Sequence, residues 1–206
     1  MFASSYSAKA TTDHVIPVTH TATVQKAYYM QAFGQTLPPI GYVTFCRENR
    51  GECTDRSVKR FRVRLSERSI GELIRVNEMV NQSIAPMSDM ELYGQPEVWT
   101  YPASSGDCED YVLLKRKMLM QRGWPQSALL ITVVRDENNE GHAVLTVRTD
   151  KGDYILDNKQ SQIRLWTDTP YVYVKRQSER NPLVWISLVP PSQLPQTQFS
   201  ASQSNR

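Results

Sequence analysis

Long apolar runs are missing from this 206-residue chain. No stretch approaches the roughly 20 residues that a membrane-spanning helix needs, which excludes membrane insertion by that route. An excess of one charge is missing as well. Lys and Arg number 24 against 21 Asp and Glu, and the net charge of +3 points neither to nucleic acid nor to a membrane surface. Internal repeats are absent. No signal peptide is visible in Met1–Thr12, although Ala8-Lys9-Ala10 has the small-x-small pattern of a signal-peptidase site and suggests a trimmed or misplaced start. Cysteine is scarce, at three residues.

What is present fits a globular protein. Apolar residues make up 40% and charged residues 22% of the chain, and its length suits one domain with a real core. The organisation reads as a partly ordered N-terminal tail (1–39), one domain (40–189) and a flexible C-terminal tail (190–206) rich in Pro, Gln and Ser. Within the first tail, Ala27-Tyr28-Tyr29-Met30 is apolar enough to fold against the body.

Gly41–Cys46 reads as a strand, and Arg47–Glu52 as a hairpin loop between Cys46 and Cys53. A Cys46–Cys53 disulfide would suit an oxidising compartment; two reduced thiols are the alternative. Phe61–Leu65 alternates apolar and basic residues, as a half-exposed strand or extended segment does. A helix follows, capped near Ser66 or Ser69, with Ser69 and Glu72 fitting a capping box and Pro86 as a stop. Met87–Pro102 reads as a loop. A second helix starts at Asp107 and ends before Gly123, with Lys115, Arg116, Lys117 and Arg122 complementing its dipole. Strands at 129–135, 142–148, 154–157, 171–175 and 183–188 complete the pattern. Helices first and strands after give an α+β fold, an antiparallel sheet packed on the second helix. Arg135, Arg148 and Lys175 read as its solvated face.

Cys108 opens that second helix. A thiol there faces unpaired N–H groups and the positive end of the macrodipole, which favour a thiolate. The Cys108 N–H is a candidate oxyanion donor, and the Ser104-Ser105-Gly106 lead-in leaves room for a substrate backbone. His142 opens one strand and Asp157 closes the next. A four-residue loop, Thr149–Gly152, sets Arg148 facing Asp153 and Asp157 facing Val144, one diagonal step from His142 and on its face. A two-residue loop at Lys151-Gly152 sets Asp157 opposite Thr146, farther off but still on that face. Singly, each of the three has a bland account: buried hydrophobe, structural imidazole, turn residue. Together they are the parts of a Cys–His–Asp acyl-transfer site. Asp107, Glu109 and Asp110 either complement the helix dipole or, because they oppose thiol ionisation, hold calcium. Trp99 reads as an oxyanion donor, a groove wall or a core residue.

Gly106-Asp107-Cys108-Glu109-Asp110-Tyr111, Gly141-His142-Ala143-Val144-Leu145 and Leu156-Asp157-Asn158 together resemble the bacterial transglutaminase-like cysteine proteinases. Shorter matches run from Phe45-Cys46 through Glu97-Val98-Trp99 to Lys175-Arg176-Gln177. The resemblance implies a papain/transglutaminase-like fold with Cys108, His142 and Asp157 as triad. It further implies calcium held by Asp107, Glu109 and Asp110, and a periplasmic or secreted location. A protein substrate such as a large surface adhesin, and control by an inner-membrane cyclic-di-GMP receptor, also follow from it. The expected activity is a cysteine endopeptidase acting through a thioester acyl-enzyme, with no cofactor needed for the chemistry. A transglutaminase or amidase, and a non-catalytic binding module of the same fold, are the alternatives.

Overall fold

The computed structural model describes Met1 and residues 28–53 and 61–193. The Ala8-Lys9-Ala10 pattern and most of the C-terminal tail lie outside the described residues.

From the N-terminal side the elements are β1 (Gly34–Thr36), α1 (Ile40–Glu48), a 3-10 turn (Arg50–Glu52), α2 (Glu67–Ser83), β2 (Ala85–Pro86), α3 (Asp89–Tyr93), β3 (Ser105–Gly106) and α4 (Cys108–Gln121). Then come β4 (Leu129–Arg135), β5 (Gly141–Thr149), β6 (Gly152–Leu156), β7 (Arg164–Leu165), β8 (Val172–Gln177) and β9 (Trp185–Ser187). Among the described residues, a seven-stranded antiparallel sheet runs β1-β9-β8-β4-β5-β6-β7. Helix α4 packs on β5 and β4, and α2 packs on α4. This is the expected α+β layout.

Both faces of the central strands are covered, so β4 and β5 are buried almost throughout, polar residues such as Thr132, Thr146 and Arg148 included. Leu129, Ile131, Ala143, Leu145 and Val147 face the core beneath α4, with Leu73, Val76 and Val80 of α2. Val134, Val144 and Ile155 face a second cluster with Met30, Tyr171, Tyr173 and Leu188. Met30 also donates its N–H to Asp153, and β1 pairs with β9 at the sheet edge.

Several local expectations are corrected. Gly41–Cys46 is helical, not a strand, and the residues after it form the end of α1 and a 3-10 turn rather than a hairpin. A strand would turn Tyr42 and Phe45 to opposite faces. The helix buries both on one side, 2% and 1% exposed. Each buried ring is worth roughly 1.5–3 kcal/mol, more than the few tenths lost by placing Val43 and Thr44 in a helix. Cys46 and Cys53 are disulfide-bonded, closing the turn onto α1.

Phe61–Leu65 is extended, with a single parallel bridge from Val63 to Thr149. Ser66 caps α2 in a reciprocal pair with Ser69, not Ser69 with Glu72. Glu72 instead accepts the Trp124 indole N–H at 2.9 Å. The expected loop from Met87 contains α3, because Ser88 and Glu91 form a capping box.

Two basic assignments also change. Lys115 and Arg116 are buried rather than spread over a charged helix end. Arg148 is buried as well, paired with Asp153 at 3.1 Å and with Glu179.

Candidate active site

The start of α4 is fixed from two sides. Ala85 donates its N–H to the Ser104 carbonyl at 2.8 Å and Met87 to the Gly106 carbonyl at 3.0 Å, so β3 lies parallel to β2. Gly106 is required there: a Cβ would come within 2.5 Å of Asp110 Oδ2. Ser105 is held in this bridge and does not line the cleft described below, contrary to its expected place in the substrate groove.

Cys108 is the free cysteine among the described residues. Its thiol donates to Glu109 Oε2 at 3.1 Å, and Sγ accepts the Ala143 N–H at 3.3 Å. Burial pushes the thiol well above its ordinary pKa; the Glu109 charge and hydrogen bond push the same way, and the Ala143 N–H only partly offsets them. The helix-start preference for thiolate is therefore outweighed in this arrangement.

His142 and Asp157 meet as the strand register requires. Arg148 pairs with Asp153 and Leu145 with Leu156, which sets Asp157 opposite Val144. The turn is shorter than four residues, since Thr149 also pairs with Gly152, but the register is unchanged. His142 Nε2 lies 2.9 Å from Asp157 Oδ1, both side chains being buried. A carboxylate only accepts, so Nε2 carries the proton and Nδ1 is left as a base. Burial pushes the Asp157 carboxyl up, but hydrogen bonds from His142, Tyr171 and the Lys159 N–H bring it below its usual value.

Cys108 and His142 open into one cleft of about 290 Å³, walled by Pro39, Ile40, Glu97, Trp99, Val133 and Lys175. A second groove of about 470 Å³ shares Ile40, Glu97 and Trp99 and continues past Tyr93 and Thr44. Trp99 is a wall and a core residue at once. Its indole N–H donates to Glu97 Oε2 at 3.2 Å, so it is not free for an oxyanion. Its ring packs edge-on to Tyr42 and Trp185.

The acids beside the thiol divide. Asp89, Asp107 and Glu109 each bring a carboxylate oxygen within 4.8 Å of the others. Asp89 Oδ1 and Asp107 Oδ1 are buried without a hydrogen-bond partner among the described residues. Burial and the Asp107 charge push Glu109 up to about 9, the mark of crowded carboxylates lacking a counter-charge. These three suit a hard divalent cation. Asp110 lies outside this group of three: its Oδ1 accepts the Thr100 N–H at 2.9 Å, its Oδ2 is likewise buried without a hydrogen-bond partner among the described residues, and burial pushes it up to about 7.

Sequence reasoning missed Asp89, hidden in a stretch read as loop, and Lys159 and Tyr171, which hydrogen-bond Asp157. The Ser88–Glu91 capping box was the one available signal for Asp89.

The sequence matches the family model of the bacterial transglutaminase-like cysteine proteinases over residues 32–193. None of the curated proteins gives a significant match. Among solved structures, calcium-bound LapG of Legionella pneumophila is 24% identical, covering 62% of this chain and 73% of LapG, with a TM-score of 0.51. The EGTA-treated form is 26% identical, covering 60% and 68%, with a TM-score of 0.49. The first of these likenesses bears on the fold, which is α+β and papain-like. The chain belongs to the bacterial transglutaminase-like cysteine proteinases, and it is a cysteine peptidase.

Proposed function

We propose that the protein is an endopeptidase in which Cys108 is the nucleophile, His142 the general base and acid, and Asp157 the residue that orients His142. The observation that carries this reading is that His142, hydrogen-bonded to Asp157, lines the same cleft as the one free thiol among the described residues. The Cys108 proton passes to His142 Nδ1 as Sγ bonds to a peptide carbonyl carbon. The Cys108 backbone N–H holds the oxyanion. The C–N bond breaks as His142 gives its proton to the leaving amine, and water then hydrolyses the thioester with His142 again as base. The two connected grooves suit an extended chain rather than a small molecule.

We propose calcium at Asp89, Asp107 and Glu109, in place of the set Asp107, Glu109 and Asp110. The calcium-bound state of LapG supports the choice of ion. When bound, it supplies positive charge beside a thiol that the acids otherwise keep protonated. The disulfide supports a periplasmic or secreted location. A large surface adhesin as substrate, and a cyclic-di-GMP receptor as regulator, rest on family resemblance alone.

Digestion of a peptide mixture with added primary amine tests the reaction type. New free carboxyl termini are expected. Products carrying the amine in their place would favour the transglutaminase reading, and no product with calcium present would favour a binding module.

A further inference from the structure

Asp157 is held at both carboxylate oxygens. Oδ1 takes the His142 ring nitrogen and the Lys159 N–H at 3.0 Å; Oδ2 takes the Tyr171 hydroxyl at 2.5 Å. Tyr171 comes from a different part of the sheet. It immediately precedes β8, which β4 separates from the His142 strand. Register explains the encounter. Val134 pairs with both His142 and Tyr173, so these three share a face, and Tyr171 stands two residues further along that face. From there its ring lies edge-on to the imidazole, centroids 5.5 Å apart. One side chain therefore touches both the acid and the base of the pair, in a site where Tyr171 is only 8% exposed.

A buried tyrosine often does no more than satisfy its own hydroxyl. Here the partner is the carboxylate whose orientation sets the imidazole. Hydrogen bonding at Oδ2 fixes the carboxylate plane, which leaves Oδ1 aimed at Nε2. Burial pushes the phenol up, so the hydroxyl stays a donor over the working pH range.

Building on the triad reading above, we propose that Tyr171 is a positioning residue of the site: its hydroxyl locks Asp157 and its ring sets the plane of His142. It makes no contact with substrate and transfers no proton. Its contribution is to keep the Nε2–H tautomer, which leaves Nδ1 as the base.

Tyr171→Phe keeps the ring and removes the lock. With calcium present, kcat for a cleaved peptide should fall about tenfold, the scale of one hydrogen bond, while KM stays within about twofold on the same scale. Nitrogen-15 spectra should show the downfield His142 Nε2–H signal of the wild type weakened or split in the variant. Unchanged kcat together with an unchanged His142 signal overturns the proposal. Cys108→Ala is run beside it: if that variant stays active, the triad reading itself fails, a separate result. Should Tyr171→Phe not fold, 3-fluorotyrosine at position 171 keeps the fold and strengthens the donor. The His142 signal should then move upfield as Asp157 becomes a weaker acceptor, and an unmoved signal overturns the proposal.

Discussion

Lys115 shows how a single residue departs from what its type suggests. It lies two turns beyond Cys108 on α4, fully buried, with Nζ lacking a hydrogen-bond partner among the described residues. Burial pulls its pKa down to about 7, against the opposing pull of Asp157. The folded state therefore holds fewer protons than the unfolded one between about pH 7 and the ordinary lysine value of 10.5. The stability cost is full below pH 7 and relieved as pH rises through that window. Lys115→Met should thus stabilise the fold, by about 1–3 kcal/mol at its largest, raising the melting temperature most at pH 6 and least near pH 10. Thermal melts at the two pH values check this, and a loss at pH 6 would contradict it. The sequence presented this lysine as part of a basic helix end, because burial of a charge leaves no mark in local composition. Cys108, His142 and Asp157 were legible for the opposite reason: a helix start and strand parity place them with short-range rules alone. Tyr171 reaches the site through long-range pairing, which no spacing announces, and Asp89 through a short helix whose Ser88–Glu91 capping box was its one signal.

At the scale of elements, α1 is the instructive case. Its aromatic and β-branched residues suit a strand, and the surface it packs on makes it a helix. Gly41 sits where α1 meets the cleft wall: a Cβ there would fall 2.2 Å from Trp99 Cδ1 and 2.7 Å from the Glu97 carbonyl oxygen. Gly41→Ala should displace Trp99, at a cost of about 1–3 kcal/mol for overpacking. Because Trp99 walls both grooves, KM should rise more than kcat falls. Melting temperature and peptide kinetics measure the two effects, and a variant unchanged in both would mean that Trp99 moves freely. The central strands β4 and β5, by contrast, were legible to within a residue at each end, whereas the short strands β1, β2, β3 and β7 were not. The turns Asp136–Glu140 and Asp150–Lys151 bound the two central strands, whose apolar residues fill both covered faces.

At the scale of the whole molecule, a stable sheet carries His142 and Asp157 while a separate set of loops and helix starts carries the acids and the thiol. Calcium at Asp89, Asp107 and Glu109 would tie together the second of these sets, beside the thiol. It should stabilise the fold by mass action, by about 2.7 kcal/mol at a hundredfold excess over its dissociation constant, raise the melting temperature accordingly, and speed iodoacetamide labelling of Cys108. Asp89→Asn should weaken both responses and Asp110→Asn should spare them. If calcium and chelator give identical melts and labelling rates, the three acids hold no ion. The most direct measurement is a peptide-library digest read by mass spectrometry, run with calcium on the wild type and on Cys108→Ala. Cleavage at defined bonds by the wild type, with none by the variant, is the result expected of a Cys108 nucleophile. Near wild-type cleavage by folded Cys108→Ala would contradict it.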